Sequence, residues 1–365
     1  MNKNNNDKTN NYFDSKFRDK SVLFIICIII ICLLPFILTR KPLLGIDFSE
    51  TGDIGSTIGG IMGPFIAIIA SYLTFIAFWV QFKANKKQTE QFDTQAKDVK
   101  LERFENKFYE MIKIQRDNVS EISINNGTVT NRKAFISMFL EVKCAFFVLK
   151  QLIDSGKIKH LTEEEAINIS YITFFTGVGA NSSKVAKYLL PNFNEKMLDI
   201  YFKELSKYQT EYLSFTLEQK KNLENLNSFP SYLRQRKNVK ITYKKESITF
   251  KYYKPFNGHM SRLGHYYRHM YQTVKYVVEQ NFVEDAEENY RLKYEYLKTL
   301  RAQLSDHELL LLYYNSLSTL GNSWISNNYF TDWKFLKNIP LPLADFGINP
   351  IEKLGIKNSK GDVIF

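Results

Sequence analysis

The sequence predicts a mainly α protein: two N-terminal transmembrane helices, a helical stalk, and a cytoplasmic helical bundle with one β-hairpin insertion. Three observations predict it. Two long uncharged runs lie within residues 21–82, apolar positions at helical spacing fill most of the remainder, and one pair of β-branched and aromatic runs stands near 238–253.

A chain of 365 residues with 44% hydrophobic content can bury a core and divides into one or two domains. Residues 1–20 begin MNKNNNDKTNNY, too poor in apolar side chains to order themselves, and are expected to be a disordered cytoplasmic tail. The run Val22 to Leu38, VLFIICIIIICLLPFIL, carries no charge and is flanked by Arg18, Lys20, Arg40 and Lys41. A second uncharged run, Ile54 to Phe82, exceeds the roughly 20 residues a helix needs to cross the hydrocarbon layer. The first run lacks the small-residue cleavage pattern of a secretory leader and is closely followed by the second, so residues 21–82 read as a two-helix transmembrane hairpin. Lys3, Lys8, Lys16, Arg18 and Lys20 precede it and Lys83, Lys86 and Lys87 follow it, which predicts a multi-pass protein of the cytoplasmic (inner) membrane with both termini cytoplasmic. Cys27 and Cys32 lie in the first run and Cys144 in an apolar helix, so no disulfide framework is expected.

Within the second run, Gly55, Gly59, Gly63, Ala67 and Ser71 place a small residue at every fourth position. On a helix these align as one smooth stripe, suited to close packing against the first span or a second copy of the protein, so a homo-oligomer in the bilayer is expected; Pro64 is placed to kink the helix there. No turn signal separates this run from residues 83–100, read as a helical stalk. Phe104, Phe108, Met111, Gln115, Val119 and Ile122 then keep helical spacing into a domain spanning 101–340. Helices follow over Lys133–Ile153, from a capping box at Thr162 and Glu165, and over 195–228. FFTGVGA, with Gly177 and Gly179, is a turn rather than a phosphate loop, since it lacks a full glycine fingerprint, and no cofactor is expected.

NVKITYKKESITFKYYK carries the hairpin signal, with its two runs on either side of Lys244 to Ser247. Arg234, Arg236, Lys237, Lys240, Lys244 and Lys245, interleaved with Tyr232, Tyr243, Tyr252 and Tyr253, suit contacts to nucleic-acid phosphates and bases. A solvated basic face, or attraction to anionic lipid headgroups, explains the same pattern.

The segment SRLGHYYRHMYQTVKY brings Arg262, His265, Arg268 and His269 together. Leu263, Tyr267, Met270, Val274 and Val277 form the apolar stripe of its helix, with Arg262, His265, His269 and Tyr276 on a neighbouring face. His265 and His269 at one-turn spacing lack a third ligand, so no metal is expected. Arg262 and His269 resemble the short arginine–histidine motif of HEPN ribonucleases, in which histidine works as general acid or base and arginine stabilises charge on phosphate. That resemblance makes the pair candidate catalytic residues of a metal-independent ribonuclease. Arg301 and His307 share the spacing, but a capping box at Ser305 and Glu308 starts a new helix between them. The competing reading has the cluster, with Tyr267 and Tyr271, organise the bundle. Residues 305–320 are apolar nearly all round and end at Gly321, while IPLPLADFGINP, with three prolines, cannot continue as helix and the tail 341–365 is expected to be irregular.

Four segments, RFENKFYEMIKIQRDNVSEI (103–122), RKAFISMF (132–139), GHMSRLGHYYRHMYQTVKYV (258–277) and LRAQLSDHELLLLYYNSLSTLG (300–321), together resemble the AbiC-like phage abortive infection family. The resemblance implies bacterial antiviral defence, in which sensing of infection, by the protein itself or through a phage component or co-encoded partner, leads to growth arrest or death of the cell. It supplies no catalytic residues, so a membrane effector and an anchored ribonuclease both stay open.

Overall fold

Residues 195–228 are rich in the helix formers lysine, glutamate and leucine, and apolar residues recur at one-turn intervals elsewhere; both favour helix, and the computed structural model is accordingly mainly helical. It describes residues 26, 29, 30, 33, 52–124, 127, 129–223, 239–250, 253–358 and 361–365. The expected tail 1–20, all but four positions of the run Val22–Leu38, and Arg234, Arg236 and Lys237 lie outside the described residues. The chain forms two compact units, Met1–Lys97 and Asp98–Phe365.

Helix α1 (Gly52–Glu121) is a single 70-residue element that includes Pro64 and continues through the expected stalk. Among the described residues it is the one helix long and apolar enough to cross a membrane, over Met62–Glu121, where two spans were expected. In the first unit its apolar side chains are exposed, Phe65, Ile68, Tyr72, Phe75, Phe78 and Trp79 among them. Gly55, Gly59 and Gly63 have no described atom within 4 Å of where a side chain would start.

In the second unit α1 contributes a buried stripe, Phe104, Phe108, Ile112 and Gln115. A two-stranded hairpin follows, β1 (Ser123–Ile124) with β2 (Val129–Thr130), where one hairpin alone was expected in the chain. Asn126-Gly127 between β-branched residues is its signal, and Gly127 takes a left-handed φ of 86°. Helix α2 (Arg132–Asp154) is the centre of the unit, buried without interruption from Val142 to Leu149. Around it pack α3 (Glu163–Thr176), α5 (Glu195–Leu223), β3 (Val239–Tyr243) and α8 (Asp306–Ser316). Between these run α4 (Ala180–Leu189), β4 (Glu246–Phe250), α6 (Met260–Val278) and α7 (Ala286–Arg301). Helices apolar on all sides belong in the middle of a bundle, and α3 and α8 are buried nearly throughout. Both expected capping boxes form, Thr162 with Glu165 and Ser305 with Glu308.

β3 and β4 pair antiparallel from Val239↔Phe250 to Tyr243↔Glu246, so the turn is Lys244–Lys245 and the second strand starts earlier than the sequence suggested. Lys143 of α2 joins this hairpin to the C-terminal segment, bonding Glu246 at 2.7 Å and Asp345 at 2.6 Å. Burial alone would lower its ammonium, but the two carboxylates outweigh that and hold it above the ordinary lysine value. Residues 341–365 are less irregular than expected. Leu341–Leu343 forms a 3₁₀ turn and Pro350–Leu354 forms α10, with proline in its first turn, where its missing N–H costs nothing, and Asn349 as the cap. Helix α8 ends at Ser316, not at Gly321; Gly321 lacks a side chain because Asn315 Oδ1 would lie 2.2 Å from its Cβ.

Two glycine corners fix the entry to α6. Gly177, which ends α3, and Gly258 both have left-handed φ, 86° and 83°. Their backbones touch: a Cβ on Gly258 would lie 2.4 Å from the Thr176 carbonyl oxygen, and one on Gly177 would lie 2.9 Å from Gly258 N. His259 N–H donates to Phe175 O at 2.8 Å and Val178 N–H to Phe256 O at 3.2 Å across the crossing. Gly258→Ala is therefore expected to destabilise the detergent-solubilised protein by at least ~2 kcal/mol in denaturant unfolding, the left-handed strain plus the collision with Thr176. Gly156→Ala, at φ 71° with open space around it, carries the strain alone and should cost about 1 kcal/mol.

Candidate functional site

Helix α6 carries the arginine–histidine cluster, and its faces do different work. Arg262, His269 and Tyr276 recur every seven residues, so they line up two turns apart on one face. That face meets the end of α1 and the strand after it, running the opposite way. Arg262 Nε donates to Ser123 O at 2.6 Å, His269 Nε2 donates to Met111 O at 2.8 Å, and the Tyr276 ring stacks on Phe104 with centroids 5.1 Å apart. The Arg262 and His269 side chains are thus half-buried and bonded to main-chain carbonyls. His265 is exposed on the next face, apart from them. Arg301 and His307 diverge: Arg301 Nη1 donates to Lys334 O at 2.6 Å, whereas the His307 ring sits edge-on to Phe139. Burial lowers the His307 imidazole pKa, only partly offset by Asp306.

Two buried carboxylates flank the helix: Glu141, which sequence reasoning missed, and Glu308, expected only as a capping-box residue. Glu141, fully buried in α2, accepts a bond from the Tyr253 hydroxyl and one from Phe256 N–H at 2.8 Å, with His259 Nε2 at 3.2 Å. Burial first, and then the Glu141 charge, pushes the Tyr253 hydroxyl well above its ordinary range, so it stays a donor. The signal was a lone acid inside AFISMFLEVKCAFFVL, an apolar run where a charge needs partners. Glu308 accepts from Ser305 N–H at 2.8 Å, Ser305 Oγ at 2.6 Å and the Tyr266 hydroxyl at 2.8 Å, with Arg132 Nε at 3.7 Å. These carboxylates hold both ends of the domain's polar frame and are closed to solvent.

A pocket of about 460 Å³ lies on the opposite side of α6. Tyr267, Arg268 and Tyr271 line it together with Gly264, Phe175 from α3 and Asn315 from α8, whereas Arg262, His265 and His269 do not. The wall beyond is Trp324 of α9 (Ser323–Ser326), held between Phe330 and Phe335 with centroids 5.5 Å from each. Arg268 is exposed and its Nε donates to Gly264 O at 3.0 Å. The hydroxyl of Tyr267 is buried and has no hydrogen-bond partner among the described residues. Burial, and then the neighbouring Tyr171 hydroxyl, pushes it well above its ordinary range, so at neutral pH it is a neutral donor.

The basic hairpin is only partly described. Lys240, Lys244 and Lys245 are exposed. Of the interleaved tyrosines, Tyr253 is buried on Glu141, and Tyr243 donates to Asp154 Oδ2 at 2.9 Å while packing on Phe147. Burial and the Asp154 carboxylate push Tyr243 up to about 12. Among the described residues no group of three histidine, cysteine or acidic side chains is placed to hold a metal.

Residues 258–343 match the model of the family described as "Putative phage abortive infection protein". The matched stretch runs from the glycine corner at Gly258 through α6, α7 and α8 to the turn at Leu343, and supplies every pocket residue except Phe175. No curated protein and no solved structure matches the chain.

Removing the Glu141 carboxylate leaves the buried Phe256 N–H without its acceptor and Tyr253 and His259 with only each other, 3.2 Å apart. Glu141→Ala is expected to lower unfolding stability by roughly 3–5 kcal/mol, whereas Tyr253→Phe, which removes one donor, should cost about 1–3 kcal/mol. Denaturant titration of the solubilised protein measures both; a Glu141→Ala midpoint equal to wild type would show that the frame is not held there.

Proposed function

We propose that this chain is a bacterial abortive-infection protein that acts at the inner membrane: its helical domain responds to infection, directly or through a partner, and the response at the bilayer arrests growth or kills the cell. The observation that carries the reading is the family match over 258–343, a stretch that includes α6, α7 and α8. The membrane part is supported by the exposed apolar residues of α1 and by the length of that helix. A water-exposed surface of this kind is unfavourable by roughly 25 cal/mol for each Å² of apolar area, so it requires lipid or protein cover.

In this reading α1 does two tasks. Its stripe of Gly55, Gly59, Gly63, Ala67 and Ser71 allows close approach of another helix, from the first apolar run or from a second copy. Its Phe104, Phe108 and Ile112 side chains belong to the core of the second unit, so a change of packing there acts on the same helix that carries the stripe. Killing needs no bond-breaking chemistry under this reading, and the two termini face the cytoplasm. The ribonuclease alternative keeps the anchor and assigns RNA cleavage to Arg262 and His269, with RNA held by the basic hairpin.

Replacing Gly59 and Gly63 together by leucine is expected to return phage plating efficiency to that of cells lacking the protein, without loss of membrane-bound protein. Dye entry during infection should occur before lysis in wild-type cells and be lost in the double variant. Full protection by the variant would overturn the role of the stripe. Intact membranes with RNA degraded in infected cells, reversed by His269→Ala, would favour the nuclease instead.

A further inference from the structure

We propose that the pocket beside α6 is a binding site for a small anion with a planar ring, of the nucleoside monophosphate class. Its volume, about 460 Å³, falls in the range of small-molecule sites, roughly 300–1,000 Å³. Among the described residues Arg268 is the only charged side chain lining it, so the field inside favours an anion. The guanidinium is exposed and makes no ion pair among the described residues; with Nε tied to Gly264 O, its terminal nitrogens remain for a bidentate contact with phosphate. Phe175 and Tyr271 supply aromatic surface for a ring.

Two further features separate a heteroaromatic ligand from a lipid-like one. Among the described residues the buried Tyr267 hydroxyl makes no close hydrogen bond and has the Tyr171 hydroxyl as its polar neighbour; an aliphatic chain would add nothing for it, whereas the edge of a base can bond to it. Gly264 lies inside α6, where glycine is disfavoured relative to alanine, and nothing in the packing demands it. Its φ is not left-handed, and an added Cβ would meet Phe175 at 3.7 Å and Arg268 at 4.0 Å, which are ordinary contacts. What a longer side chain at 264 would take away is the space of the pocket. Nothing in this site depends on the membrane role of α1.

The test is calorimetric titration and thermal shift of the detergent-solubilised full-length protein with AMP, GMP, CMP and UMP separately, with adenosine, inorganic phosphate and laurate as comparisons. At least one mononucleotide should bind saturably, and the matching nucleoside and phosphate alone at least tenfold more weakly. Arg268→Gln should weaken binding at least tenfold and Tyr267→Phe severalfold. Gly264→Leu should abolish binding while the melting temperature of the free protein stays unchanged or rises. The proposal is overturned if no mononucleotide binds, if laurate binds and the nucleotides do not, or if Gly264→Leu or Arg268→Gln binds as wild type does.

Discussion

The contact between the glycine corners at Gly177 and Gly258 is the constraint from which the rest of the second unit follows. Two left-handed residues set back to back bring the end of α3 and the start of α6 to backbone contact, closer than any side chain permits. The crossing aims His259 at Glu141, sends α6 along the end of α1, and sets Phe175 opposite Gly264. Gly177 also closes its own helix, its N–H donating to Thr173 O at 2.7 Å, but the backbone contact needs both corners. Each is required by the other, about 80 residues away in sequence but in van der Waals contact.

The polar frame specifies the arrangement more than it stabilises it. Burying Glu141 and Glu308 costs desolvation that their hydrogen bonds largely offset, so a well-packed apolar substitute for the whole constellation would not be much less stable. What the carboxylates supply is selectivity: Glu141 accepts only where Tyr253, Phe256 and His259 arrive together, and Glu308 only where Tyr266 meets the start of α8. A misdocked α6 would leave bare charges in the core.

Much of the helical order was legible in the sequence, because it follows from local rules. Apolar stripes placed α2, α6 and the second half of α1, and the capping boxes at Thr162 and Ser305 set two helix starts to the residue. The β3–β4 hairpin was legible from its β-branched runs, while the shorter β1–β2 pair went unread despite Asn126-Gly127, since two-residue strands leave no alternation to detect. The partners of Glu141, the closeness of Gly321 to Asn315 and the pocket rest on contacts between distant segments, which no window of sequence contains. The spacing of Arg262 and His269 shows the same limit. Seven residues is both the length of a short catalytic motif and two turns of helix, and only the positions of Ser123 and Met111 reveal what those side chains touch.

That seven-residue seam between α6 and the end of α1 has a mechanical corollary. Arg262, His269 and Tyr276 meet Ser123, Met111 and Phe104 as teeth meet a rack. Advancing α1 by one residue turns its surface about 100° and disengages the two teeth that bear on the helix, at Met111 and Phe104, while Ser123 lies just beyond it in β1; two full turns must pass before a similar mesh recurs. Such a gear does not creep. It stays engaged or it jumps, which gives the end of α1 discrete settings instead of a continuous range.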